Sequence, residues 1–180
     1  MKTLVVNFFG GPGSGKSTVC ADIFAKLKWD GYNCEIATEF AKEIVWEGSL
    51  NIFEDQLYVF ANQHHRIYKL NGKVEIALTD SPVLLGAIYD NTDSFNYKNL
   101  VIEKHFKFNN VNIFLERKNV YKIEGRMQNE QEAKKIDYII KNLFIDYNIE
   151  YYSINAIEEN ILKIYKIIID EYNKLNNGKN

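Results

Sequence analysis

The strongest chemical signal in the chain is the segment Gly10-Gly11-Pro12-Gly13-Ser14-Gly15-Lys16-Ser17-Thr18. It fits G-x-x-x-x-G-K-[ST], with Gly10, Gly15, Lys16 and Ser17 at the fixed positions. Glycines let the backbone curl so that successive N–H groups face inward. A helix beginning behind them adds the positive end of its dipole, and the two together hold phosphate oxygens. Lys16 brings a mobile cation to the outer phosphates, and Ser17 offers a hydroxyl oxygen of the kind Mg²⁺ prefers. A plain glycine-rich turn requires neither the lysine nor the two hydroxyls of Ser17 and Thr18. The whole segment, residues 10 to 18, is therefore expected to bind nucleotide phosphate.

Three further residues could act on a substrate beside that loop. Asp80 closes the apolar run Val74-Glu75-Ile76-Ala77-Leu78-Thr79. An acid there can hold Mg²⁺ or accept a proton from a hydroxyl, or it can simply cap the helix beginning near Pro82. Glu39 follows the second apolar strand, where a carboxylate can bind a diol or deprotonate a hydroxyl; the bland reading is a first-turn acid favoured by the helix dipole. Glu43, one turn on, reads as an ordinary helix-surface acid. Arg126 lies in the long polar stretch Glu116–Asn129 with Arg117, Lys118 and Lys122. A cation closing from such a stretch can stabilise charge on a transferring phosphoryl group. The lysines read as solvated, and Arg126 draws attention because arginine occurs only at 66, 117 and 126.

These groups need a scaffold that delivers them to one edge. Strands are predicted at Thr3–Phe9, Asn33–Thr38, Val74–Thr79, Val111–Leu115 and Glu150–Ile154. Helices are predicted at Lys16–Trp29, Phe40–Glu47, Ile52–Leu70, Pro82–Tyr89, Tyr97–Phe106, Glu130–Tyr147 and Ile157–Leu175. Apolar strands alternating with helices indicate an α/β fold with a parallel sheet covered on both faces. In such sheets ligands sit beyond the carboxyl ends of the strands, which here carry the phosphate loop, Thr38 and Glu39, Asp80 and Ser81, Glu116 to Lys118, and Ser153 and Asn155. The stretch 116–129 is expected to be a lid, and residues 1–180 to form a single domain.

Bulk properties narrow the function classes. The chain has 180 residues, 46% apolar and 26% charged, with a net charge of -2, so no overall field draws it to nucleic acid or an anionic membrane. No basic-then-apolar leader and no bilayer-length apolar run is evident, and a cytoplasmic location is expected. Cys20 and Cys34 fit neither a redox nor a zinc pattern and read as small buried side chains. His64-His65-Arg66 reads as a polar helix edge that could touch substrate rather than a metal site, because adjacent helical residues point apart. His105 reads as structural.

The phosphate loop, the segment Glu39-Phe40-Ala41-Lys42-Glu43, the helix carrying Gln56 and Gln63, the strand ending at Asp80, and Glu124-Gly125-Arg126 resemble the small-molecule kinase branch of the P-loop proteins. Within it they are similar to the ribosylnicotinamide kinase domain of NAD-biosynthesis regulators and to related AAA-like kinases of bacteria and phages. The resemblance spans nearly the whole chain. It implies a three-layer P-loop fold with sheet order 2-3-1-4-5, ATP and Mg²⁺ at residues 10–18 with Ser17 and Asp80 on the metal, and adenine near Asn155. A small hydroxyl-bearing acceptor would lie between the elements after strands two and three. Catalytic roles would fall to Lys16, Glu39, Asp80 and Arg126, with the base either Glu39 or Asp80. Asp80-Ser81-Pro82 departs from the D-T-D-like ending of nicotinamide riboside kinases, so the acceptor stays open among nicotinamide riboside, nucleosides and nucleoside monophosphates. The rival expectation is an ATPase or nucleotide-binding module acting on a protein or nucleic acid, a DNA-directed kinase included. A small-molecule partner is expected, with no membrane and no nucleic acid, and with oligomeric state open.

Overall fold

A computed structural model describes residues 2–90, 94–117 and 130–177. Five strands form one parallel sheet: β1 (Leu4–Phe9), β2 (Cys34–Ala37), β3 (Ile76–Thr79), β4 (Asn109–Glu116) and β5 (Tyr152–Asn155). Their order is β2-β3-β1-β4-β5, as the resemblance implies. β1 sits at the centre, with Leu4 beside Ile76 of β3 and Asn109 of β4. Every residue of β1 is buried, which is why it reads as a nearly continuous apolar run rather than an alternating one.

The pleat sends successive side chains to opposite faces. Leu4, Val6 and Phe8 pack with Leu78, Ile113 and Leu115 under α1 (Lys16–Trp29) and the last helix, α7 (Ile161–Asn177). Val5 and Phe9 face the other layer, Val5 packing with Phe60 and Val101 and Phe9 with Ile140 and Phe144. In chain order the remaining helices are α2 (Phe40–Glu47), α3 (Gln56–Tyr68), α4 (Gly86–Tyr89), α5 (Phe95–Phe106) and α6 (Glu130–Asp146). Asn7 is the polar exception in β1; it is 1% exposed and its Nδ2 donates to Asn110 Oδ1 at 2.9 Å and Asn112 Oδ1 at 3.2 Å. A buried amide is tolerable because its partners are in place.

Several boundaries differ from expectation for local reasons. The helix predicted over Ile52–Leu70 is split: a 3₁₀ turn covers Leu50–Glu54, and Asp55 then N-caps α3 by accepting from the Tyr58 N–H. Ser94 does the same for α5, which starts two residues early. The segment from Pro82 begins as a 3₁₀ turn, Val83–Leu85, before α4. The last helix opens with the 3₁₀ turn Glu158–Asn160 and runs on to Asn177. β4 is longer than predicted at both ends, because its extra residues continue to pair with β1 and β5. Cys20 and Cys34 are buried free thiols. Among the described residues no helix is long and apolar enough to cross a membrane. Of the stretch 116–129 expected to be a lid, residues 118–129, Arg126 among them, lie outside the described residues.

Candidate functional site

The loop leaving β1 is built on left-handed glycines: φ is +141° at Gly10, +76° at Gly13 and +92° at Gly15. Gly15 is the N-cap of α1, and it supplies no side-chain acceptor; the first turn contains no acid. The opening N–H groups of α1 have no intrahelical partner, so this helix start fits an anionic group. Gly15 also needs its missing side chain, since a Cβ there would meet the Cβ of Ala156 at 3.1 Å. That contact brings the segment after β5 against the phosphate loop. Asn155, expected near a nucleotide base, ends β5 beside Glu116, and its carbonyl accepts from Asn160 Nδ2 at 3.0 Å.

Lys16 folds back over the loop. Its Nζ donates to the carbonyls of Gly10 at 2.7 Å and Gly11 at 3.1 Å. Lys16 is half-buried as a residue, and desolvation of its ammonium lowers its pKa. Glu39, Asp80 and Asp137 oppose the shift, and Arg117 adds to it. Ser17 Oγ donates to Asp80 Oδ2 at 2.6 Å, so the structure brings these two residues together. Asp80 is 9% exposed. It does not cap the following helix, whose 3₁₀ start has Pro82 at its N-cap. Two hard oxygens from different elements fit a hard divalent ion. Among the described residues no cluster of three or more His, Cys, Asp or Glu side chains could hold a metal. An ion here would complete its shell with phosphate oxygens and water.

Beside this pair lies a cleft of about 260 Å³, reached from Ser17 and Asp80 and walled by Glu39, Lys42, Glu43 and Trp46. Glu39 stands in extended conformation at the head of α2. Its position is braced from α3, where Gln63 Oε1 accepts the N–H of Phe40 at 2.9 Å. Gln63 is buried, and among the described residues its Nε2 has no hydrogen-bond partner. Burial raises the pKa of Glu39; Lys16 partly offsets this, and Asp80 reinforces it.

Glu43 is the helix-surface acid that its spacing predicts, 48% exposed, but it is paired. Arg66 grips it with both terminal nitrogens, Nη1 on Oε1 at 2.7 Å and Nη2 on Oε2 at 2.5 Å, and Nη1 also donates to Thr38 Oγ1 at 2.7 Å. This bidentate fork holds the Glu43 carboxyl below its ordinary pKa. The guanidinium also lies over the Phe40 ring, 5.2 Å from its centroid. The neighbouring histidines do not share this role. His64 packs against the rings of Phe60, Tyr68 and Phe108, and burial lowers its pKa. His105 is 2% exposed, and burial pushes it down to about 4, so it is a neutral structural group.

Two residues near the loop, Asp137 and Tyr89, escaped sequence reasoning, which places Arg117 at this edge without a role. Arg117 and Asp137 form an ion pair against Gly11 and Pro12. Tyr89 exposes 40% of its surface, yet its hydroxyl end is desolvated. That burial, with the charges of Glu39 and Asp137, pushes its pKa up to about 12. No motif marks them, and α6 joins the site only through the tertiary fold.

A family model described as an AAA domain matches residues 5–160. No curated protein is similar enough in sequence to match. Among solved structures, thymidylate kinase from Ehrlichia chaffeensis superposes with a TM-score of 0.61 at 13% identity, covering 93% of this chain and 99% of that one. A structure described as APE1195 matches with a TM-score of 0.46 at 18% identity, covering 94% of this chain and 96% of that one. At these identities the thymidylate kinase likeness shows a shared fold.

Proposed function

The chain belongs to this AAA domain family, a nucleotide-binding P-loop domain, and on that premise we propose that it is an ATP- and Mg²⁺-dependent kinase for a small nucleoside- or nucleotide-like acceptor. One observation carries the reading: the cleft walled by Glu39 and α2 opens directly onto the Ser17–Asp80 pair, with Ser17 next to Lys16 in the chain. A group held there lies next to the outermost phosphate of a nucleotide seated in the loop. A cavity of about 260 Å³ lies just below the usual range for ligand sites of about 300–1,000 Å³, which supports a small molecule over a macromolecular segment.

The residues divide the work. The loop N–H groups and Lys16 would neutralise the phosphates. Ser17 and Asp80 would hold Mg²⁺, which when bound draws off charge from the β- and γ-oxygens. Glu39, raised in pKa and free of that pairing, would take the acceptor proton as the hydroxyl oxygen bonds to the γ-phosphorus and the bond to the bridging oxygen breaks. Arg126 would approach from the lid. The cleft wall carries Glu39, Glu43 and Asp80 against Lys42, and Arg66 is committed to Glu43. That balance favours an acceptor offering hydroxyls over one bearing a further phosphate. Trp46, 77% exposed, gives a flat face on which a planar ring can stack.

The test is ADP release from ATP·Mg²⁺ with panels of nucleosides, nicotinamide riboside and nucleoside monophosphates, alongside thermal shift. Turnover that depends on one nucleoside supports the reading. Turnover indifferent to every small acceptor and stimulated by a protein or DNA overturns it.

A further inference from the structure

The helix after the lid touches the phosphate loop through one carboxylate. Asp137 of α6 accepts the Gly11 N–H on Oδ1 at 2.5 Å, across 126 positions of chain. The amide that donates is the peptide unit joining Gly10 to Gly11. The carbonyl of that same unit, Gly10 O, accepts Lys16 Nζ at 2.7 Å. One peptide therefore carries an aspartate on its N–H and the loop lysine on its C=O. A carboxylate on the N–H polarises the amide and strengthens its oxygen as an acceptor.

Arg117, at the end of β4, braces the aspartate. Its Nε and Nη2 donate to Asp137 Oδ2 at 3.1 and 2.8 Å, while Nη1 donates to the carbonyl of Pro12 at 2.6 Å. The two side chains are 10% and 19% exposed, so water competes little for them. The approach depends on Gly11: a Cβ at that position would lie 2.5 Å from the carbonyl oxygen of Ala133, one turn before Asp137.

We propose that Asp137, braced by Arg117, is a positioning residue that sets the Gly10–Gly11 peptide and through it the placement of the Lys16 ammonium. The proposal rests on the reading of residues 10–18 as the ATP site. It distinguishes Asp137 from a merely structural acid, because its effect on nucleotide must pass through Lys16.

A double-mutant cycle on ATP·Mg²⁺ affinity, measured by calorimetry on the full chain, tests it. Asp137→Ala is expected to weaken ATP about tenfold or more, and Asp137→Asn, which keeps an oxygen for the Gly11 N–H, to recover part of that loss. In a Lys16→Ala background, with the ammonium gone, Asp137→Ala should change ATP affinity less than about twofold. An equal loss in both backgrounds overturns the proposal, as does wild-type affinity in Asp137→Ala. Melting curves without nucleotide identify a variant that fails to fold. In that event Asp137→Asn carries the cycle, with a smaller loss expected and the same non-additivity required. Failure of the wild type itself to bind ATP refutes the nucleotide reading rather than the role of Asp137.

Discussion

Replacing Lys16 with alanine removes the ammonium at the mouth of the phosphate loop. Its Nζ lies 2.7 Å from Gly10 O and 3.1 Å from Gly11 O, beside the place where the outer phosphates of a bound nucleotide would sit. A unit charge about 4 Å from a phosphate oxygen contributes ~4 kcal/mol at an effective dielectric near 20. If all of it were realised in the transition state, the loss would be about a thousandfold. The carboxylates of Glu39, Asp80 and Asp137 share the field of Lys16, so a fall in kcat/KM of about 10²- to 10³-fold is expected. The fold should barely respond. Two hydrogen bonds worth about 1 kcal/mol each are lost, but a desolvated ammonium is also removed. A net change within about 1 kcal/mol moves the melting temperature of a chain this size by no more than ~4 °C. Steady-state ADP release with the best acceptor, together with nucleotide-free thermal melting, measures both quantities. A variant that keeps kcat/KM within threefold of wild type at unchanged ATP affinity would refute the reasoning.

Four further outcomes follow from the same geometry. Gly15→Ala forces an L side chain into φ +92° against Ala156; at ~1–2 kcal/mol for the left-handed conformation, differential scanning should show a lower melting temperature and a much reduced stabilisation by ATP. Burial raises the pKa of Glu39, so its basic form appears only above the ordinary glutamate range. The acid limb of kcat/KM should lie correspondingly high and disappear in Glu39→Gln, and a limb that persists unchanged removes Glu39 as the base. Arg66→Met frees Glu43 beside the cleft and should raise the acceptor KM several-fold while leaving the ATP KM alone; because the pair is partly exposed, urea unfolding should register less than about 1 kcal/mol. Leu78→Ala empties a fully buried site in β3 and should cost ~2–5 kcal/mol in urea unfolding, with ATP affinity retained under native conditions.

Much of the fold was legible because its signals are local. Buried parallel strands write themselves as short apolar runs, and α1 and α2 fall where helix periodicity and the adjacent glycines place them. Boundaries failed where one side chain redirected the backbone, as Asp55 and Ser94 do by capping. Such competition between a cap and a continuing helix is decided by packing that a linear pattern does not contain.

The site divides along the same line. The phosphate loop is contiguous, and its chemistry depends on residue types at fixed spacing, so residues 10–18 could be read as a phosphate-binding segment without a structure. The strand-end rule likewise marked Glu39 and Asp80, because a parallel sheet delivers every strand's carboxyl end to one edge. The resemblance put Ser17 and Asp80 on one metal, but sequence could not pair the surface acid Glu43 with Arg66 or seat Asp137 on Gly11. Those contacts join residues 23 to 126 positions apart. Each exists only because β-strand order and helix packing bring distant backbone segments within hydrogen-bonding range, and no local propensity encodes that distance.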